Sequence, residues 1–125
     1  KEIVVVDALK RVVSRRFKAG EGPLGIAVNP MSSAIYVADW YEHALMALDP
    51  STGEIKARIG TGKSPSGVAV SKDGTLILTA DRDSNEVSLI DAATLTRDDA
   101  RPGSVARRAV HAPPVALPAL WLGDS

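Results

Sequence analysis

The chain repeats itself with a period of 42 residues, and this repeat constrains the fold more than any other feature. When the sequence is shifted by 42 residues, residues 1–55 align with residues 43–97 without a gap, and 12 of the 55 pairs are identical. Asp7, Asp49 and Asp91 occupy the same position in three successive copies. Self-similarity at a fixed period is the signature of a repeat architecture. The sequence therefore predicts stacked copies of one small structural unit.

Short apolar, β-branched segments recur within each copy and predict β-strands. They are too short for helices, and Gly, Pro, Asn, Asp and Ser separate them. The predicted strands are residues 2–6, 12–18, 24–28, 34–38, 44–48, 54–59, 67–70, 75–80 and 86–90. A period of about 40–45 residues with four strands per copy is typical of a propeller blade. The predicted fold class is all-β, with four-stranded antiparallel blades in an incomplete ring.

The repeat also predicts how the chain is divided. With the strands of a blade labelled A to D, residues 1–22 hold strands C and D of one blade and residues 23–64 form a complete blade. Residues 65–97 hold strands A to C of a third blade, and residues 98–125 form an irregular tail outside the repeat. Three prolines prevent a regular helix in the tail, and we expect at most a short strand near residues 104–110.

The origin of the tail and the size of the parent protein are open at this stage. The tail is either a natural linker or the product of a frameshift. We expect the chain to be a fragment that needs further blades or self-association to cover its edges. A leader peptide is not visible, and the N-terminus looks truncated.

Composition excludes several classes of function. The chain has 15 basic and 15 acidic side chains, 4% aromatic residues and no cysteine. The lack of a basic excess and of stacking aromatics predicts no nucleic-acid partner, and the lack of long apolar runs predicts no membrane insertion. Without cysteine, no thiolate metal site or haem-attachment pair exists. Residues 60–64 (GTGKS) lack the spacing of a phosphate loop, so we predict neither a metal nor a cofactor.

Several segments resemble a known family, the YVTN-type β-propeller repeat. The strings are GPLGIAVNP at residues 22–30, AIYVAD at 34–39 and LMALDPSTG at 45–53, together with residues 64–74 and 87–94. The NHL repeat is the nearest rival. The resemblance implies a closed, usually seven-bladed ring in a secreted, periplasmic or cell-surface protein. It also implies relatives that include lactonases and components of haem or quinone dehydrogenases.

Two functions from different classes are compatible with the sequence. The first is a non-catalytic scaffold that binds a protein or a small molecule through loops on one rim. The alternative is a propeller enzyme or enzyme subunit, either a lactonase-like hydrolase or a quinone or haem dehydrogenase component. An enzyme needs titratable residues from several blades at one channel mouth, whereas a binding module needs only varied loops. No nucleophile, base and acid can be identified together, so we favour the binding scaffold.

The B–C loops are the candidate binding site, because their sequences differ between copies while their flanks stay constant. The strand order predicts that both loops open on one rim, opposite the Asp73-Gly74 turn. Trp40 and Tyr41 would form an apolar platform or pack between loops, and His43 would be a base, a ligand or a surface residue. Arg82 would hold an anion. The candidate binding residues are Trp40, Tyr41, His43, Arg82, Asp83 and Asn85.

Other recurring residues have a structural interpretation. Aspartates begin turns because their side chains accept hydrogen bonds from the backbone two residues on. Glycines in the first strand fit positions where neighbouring strands approach closely. The predicted structural residues are Asp39, Asp49, Asp81, Asp91, Gly25 and Gly67.

Overall fold

The computed structural model describes residues 1–98, which form ten β-strands and one single-turn 3-10 helix, Arg82–Ser84. The described part is all-β, as the sequence predicts. It contains no helix that is long and apolar enough to cross a bilayer. The strands are β1 Glu2–Asp7, β2 Val12–Lys18, β3 Pro23–Val28, β4 Ile35–Asp39, β5 Ala44–Leu48, β6 Ile55–Gly60, β7 Pro65–Val70, β8 Leu76–Asp81, β9 Glu86–Asp91 and β10 Thr96–Arg97.

The strands form three antiparallel sheets in which neighbours in sequence are neighbours in space. The first sheet is β1-β2, the middle sheet is β3-β4-β5-β6, and the third sheet is β7-β8-β9-β10. Each four-stranded sheet is a simple meander, and none of the three is closed. This architecture agrees with consecutive blades of an incomplete propeller.

The third sheet contains one strand that the sequence analysis missed. We expected only strands A to C in residues 65–97, but Thr96 and Arg97 pair with Asp91 and Ile90. The 42-residue period places these two residues opposite Glu54 and Ile55, at the start of strand D, but the sequence departs from the repeat at residue 98, and two residues are too few to show alternation. The strand expected near residues 104–110, like the rest of the tail from residue 99 onward, lies outside the described residues.

The two central strands of the middle sheet are covered on both faces, which explains why every residue of β4 and β5 is buried. Alternate side chains of a strand point to opposite faces. One face packs on the third sheet through Tyr36, Ala38, Leu45 and Ala47, against Val68, Val70, Ile77 and Ile90. The other face packs on the first sheet through Ile35, Val37, Met46 and Leu48, against Phe17 and Ala19.

The turns between strands C and D follow one rule in all three sheets. Asp7, Asp49 and Asp91 each accept hydrogen bonds from the backbone N–H groups two and three residues on, at 2.7–3.1 Å. The residue four positions on, Arg11, Gly53 or Leu95, is left-handed. At Asp49, the N–H groups of Thr52 and Ser51 hold the pKa of the carboxyl below its ordinary value of 3.8.

Candidate functional site

The loops β4–β5, residues 40–43, and β8–β9, residues 82–85, open on the same rim. The Cζ atom of Arg82 lies 5.9 Å from the centre of the Trp40 ring, so the loops meet across the boundary between the middle and third sheets. The turn that contains Gly74 lies at the other end of the third sheet, because Val70 pairs with Ile77 there, whereas Pro65 pairs with Asp81 at the rim. The strand order had predicted this arrangement.

An open cavity of about 360 Å³ lies between these loops and the segment that leads into β3. Its walls are mostly apolar, and Tyr41 is 65% exposed. The Nζ atom of Lys1 lies 5.1 Å from the centre of the Tyr41 ring, so a second cation sits beside a second aromatic ring. The lining residues are Lys1, Gly22, Pro23, Leu24, Trp40, Tyr41 and Arg82.

The open space lined by these seven residues is called the rim cavity, and the side chains that line it carry a net positive charge. It is lined by two cationic side chains and no carboxylate. Within residues 1–98, neither Lys1 nor Arg82 forms a side-chain ion pair with an acid; Arg16, Lys56, Arg58 and Arg97 do, and the other six lysines and arginines do not. Each cation instead faces a ring, an arrangement that is attractive because the face of an aromatic ring is negative.

Asp39 holds the base of the rim cavity in place. Its buried carboxylate accepts four backbone N–H bonds of 3.0–3.1 Å, from Glu21, Gly22, Tyr41 and Glu42. The first two donors belong to the segment before β3 and the other two to the β4–β5 loop. One side chain therefore fixes two walls of the rim cavity relative to each other.

Asp81 occupies the equivalent position in the third sheet, but, contrary to the prediction, its side chain accepts no hydrogen bond from the turn that follows it. It accepts hydrogen bonds from the Gly62 N–H at 3.0 Å, the Ser88 hydroxyl at 2.5 Å and the Thr79 hydroxyl at 2.8 Å. Val37 and Met46 stand at the corresponding positions of the middle sheet. The third sheet therefore satisfies its buried carboxylate largely with side-chain hydroxyls.

The remaining candidates of the two loops lie outside the rim cavity. The Nδ1 atom of His43 accepts a hydrogen bond from the Ser64 N–H at 2.8 Å, and Asp83 accepts one from the Ser64 hydroxyl at 2.6 Å. His43 and Asn85 take equivalent left-handed positions with φ of 53° and 52°. The structure therefore brings Trp40, Tyr41 and Arg82 together. His43 and Asp83 contact the segment before β7 through Ser64, and the Asn85 N–H donates to the Arg82 carbonyl within its own turn.

Gly25 and Gly67 lie where the middle and third sheets approach each other most closely. A Cβ atom added at Gly25 would lie 2.4 Å from the Ser66 carbonyl oxygen and 3.1 Å from the Gly67 Cα. Real Cβ atoms essentially never come this close to backbone. The absence of a side chain at Gly25 therefore allows β3 to pack on β7.

Four residues that line the rim cavity were not among the candidates: Lys1, Gly22, Pro23 and Leu24. A signal was present for three of them, because the D–A linkers share the rim with the B–C loops in a propeller blade. A Cβ atom at Gly22 would lie 2.5 Å from the Tyr41 ring, so a larger residue there would displace the ring. Lys1 had no signal, since nothing in the sequence relates its side chain to Tyr41.

Metal ligands do not cluster in the described residues. No group of three or more His, Asp or Glu side chains within residues 1–98 is arranged to hold a metal ion.

Comparison with known proteins supports the fold. No protein-family model matches the chain, and no curated protein matches it either. Among solved structures, it resembles "Kuenenia stuttgartiensis Hydrazine Synthase", with 22% identity and a TM-score of 0.73 over 78% of this chain. It also resembles "Structure of U3-55K", with 19% identity and a TM-score of 0.59 over 66% of this chain.

A third similar structure is a functionally unknown protein from Desulfotomaculum acetoxidans, with 21% identity and a TM-score of 0.57 over 78% of this chain. The matches cover 28%, 27% and 33% of the three solved chains, so this chain spans about a quarter to a third of their length. At these identities, the likeness concerns the fold alone and is consistent with propeller-like blades.

Proposed function

We propose that this chain is part of a binding scaffold that recognises its partner through the rim cavity. The observation that carries the proposal is the contact between Trp40 and Arg82. These residues lie in loops of two different sheets and border one open cavity. Ligand sites on rigid scaffolds are commonly built from loops at one end. A volume of about 360 Å³ is in the range of small-molecule sites, about 300–1,000 Å³.

The way the titratable residues of this rim are used supports binding over catalysis. Asp39 and Asp81 are buried and accept several hydrogen bonds each, and the Nδ1 atom of His43 is occupied by a backbone donor. A general base must be within hydrogen-bond reach of the proton that it abstracts. These three groups hold backbone segments instead, and none of them lines the rim cavity.

The finer family assignment, the YVTN-type repeat, is also a proposal. Its support is the motif pattern at residues 22–30, 34–39 and 45–53. A periplasmic, secreted or cell-surface location follows from that resemblance and stays a prediction. We further propose that additional blades or self-association cover the first sheet, because Val4 and Val6 are 42% and 57% exposed on it.

Amide chemical-shift mapping tests the binding function without knowledge of the natural ligand. The probes are 2-naphthoate, 2-naphthylmethanol and 2-naphthylmethylamine, which share an aromatic body and differ in charge. We expect at least one probe to shift the amides of Gly22, Leu24, Tyr41 and Arg82 saturably, and to leave the Lys72–Gly74 turn unchanged. Shifts confined to that opposite turn, or no saturable shift with any probe, would refute the proposed site.

A further inference from the structure

We infer that the rim cavity selects small organic anions with a flat aromatic body, of which an aromatic carboxylate is the simplest example. This inference rests on the proposed function and names its ligand class. Its basis is the charge of the rim cavity and the way in which Arg82 is held.

Most acids near the rim cavity are engaged in other contacts; Glu21, which precedes the lining residue Gly22, forms no ion pair within residues 1–98. Asp39 is buried and accepts four backbone hydrogen bonds. Asp83 is bonded to the Ser64 hydroxyl, and Glu42 pairs with Arg58. Neither Lys1 nor Arg82 forms a direct ion pair with an acid among the residues that the structure describes. An anion would supply such a partner, whereas a cation would be repelled.

The geometry of Arg82 suits a carboxylate. Arginine presents its N–H groups in a planar fork that matches the two oxygens of a carboxylate. Because the guanidinium lies by the Trp40 ring, its orientation is restricted before a ligand arrives. A restricted side chain loses less conformational entropy when it binds. Arg82 is therefore the residue that we expect to hold the anionic group.

The rest of the rim cavity suits a flat apolar body. Tyr41 is 65% exposed and Leu24 is 43% exposed, and both border the rim cavity beside Pro23. These three side chains can cover an aromatic ring while its acidic group reaches Arg82. Apolar walls with a few placed polar groups are the usual composition of a small-molecule site. The guanidinium of Arg82 and the apolar walls together favour an aromatic anion over a simple inorganic one.

The tryptophan content offers a direct readout. The sequence contains two tryptophans, Trp40 and Trp121. In a Trp121→Phe variant, the single indole Nε1–H resonance of the nitrogen-15 spectrum therefore reports on Trp40 alone. Titration with 2-naphthoate, 2-naphthylmethanol and 2-naphthylmethylamine compares an anion, a neutral molecule and a cation of nearly the same shape.

We expect 2-naphthoate to shift the Trp40 indole Nε1–H resonance saturably and to bind at least about tenfold more tightly than either of the other probes. The affinity should fall when the salt concentration rises, because salt screens exposed charges. In the same background, Arg82→Gln should weaken the binding of 2-naphthoate about tenfold, whereas Lys72→Gln, an equal loss of charge on the opposite rim, should not. The circular-dichroism melting curve of each variant verifies that it folds.

The possible outcomes separate the two proposals. If a probe shifts the amides of the rim but the neutral or cationic one binds as well as 2-naphthoate, the ligand class is wrong and the binding function stands. If Arg82→Gln and Lys72→Gln weaken the binding of 2-naphthoate equally, the probe is attracted by the overall charge of the protein and not by a site at Arg82. If no probe shifts the amides of the rim, the proposed function fails together with its ligand class.

Discussion

Replacement of Asp39 by alanine is expected to lower the free energy of unfolding by about 3–5 kcal/mol. The carboxylate is completely buried and accepts hydrogen bonds from four backbone N–H groups, on Glu21, Gly22, Tyr41 and Glu42. Alanine would leave these donors without their acceptor, and each buried donor without a partner costs about 1–3 kcal/mol, less where water can reach it. Urea unfolding followed by circular dichroism measures the change.

Asp49→Ala is the matched control, because Asp49 caps an exposed turn where water can replace the lost carboxylate. We expect Asp49→Ala to lower the free energy of unfolding much less than Asp39→Ala does at neutral pH. Because the pKa of Asp49 is lower in the folded state, its ionised carboxylate stabilises the fold, and this stabilisation is complete at pH values above the ordinary pKa of 3.8. The stabilisation is lost as the pH falls through the lowered pKa of the folded state. Equal losses for Asp39→Ala and Asp49→Ala at pH 7 would show that Asp39 does not hold the two segments together.

Gly25→Ala is expected to lower the free energy of unfolding by about 2–3 kcal/mol. The added Cβ atom would lie 2.4 Å from the Ser66 carbonyl oxygen. Because that oxygen belongs to the backbone of β7, it cannot move aside like the end of a flexible side chain. The middle and third sheets must separate to relieve the clash, which weakens the packing between Tyr36 and Val68.

Gly60→Ala provides the control for this prediction. A Cβ atom at Gly60 would meet no heavy atom within 4 Å. Its backbone is not left-handed, so alanine there should change stability by no more than about 1 kcal/mol and in the favourable direction. Thermal unfolding of Gly25→Ala and Gly60→Ala under the same conditions compares their stabilities and tests the prediction. A Gly25→Ala variant as stable as Gly60→Ala would contradict the close packing of β3 on β7.

The repeat made most of the fold predictable. Alternation in short segments located nine strands, and the positions shared by Asp7, Asp49 and Asp91 marked equivalent turns. Strand β10 was not expected although the 42-residue period places Thr96 and Arg97 at the start of strand D, because the sequence that follows departs from the repeat. A two-residue strand has no periodicity to detect.

The candidate site was predictable only in part. The variation between the loop copies directed attention to Trp40, Tyr41 and Arg82, which do meet. The same reasoning selected His43, whose side chain accepts a hydrogen bond from Ser64 of the following segment. Variation shows which residues are tolerated in a loop but not which way they point. The contact of Lys1 with Tyr41 depends on how the first sheet is placed beside the middle one, which no local pattern specifies.

The most direct test of the shared rim site is a set of intermolecular nuclear Overhauser effects between bound 2-naphthoate and the isotope-labelled protein. The central claim is that loops of two successive sheets form a single binding surface. It predicts that naphthalene protons contact Tyr41 and Leu24 of the middle sheet and Arg82 of the loop β8–β9 in the same complex. Contacts confined to one loop, or contacts to the Asp73-Gly74 turn on the opposite rim, would contradict it.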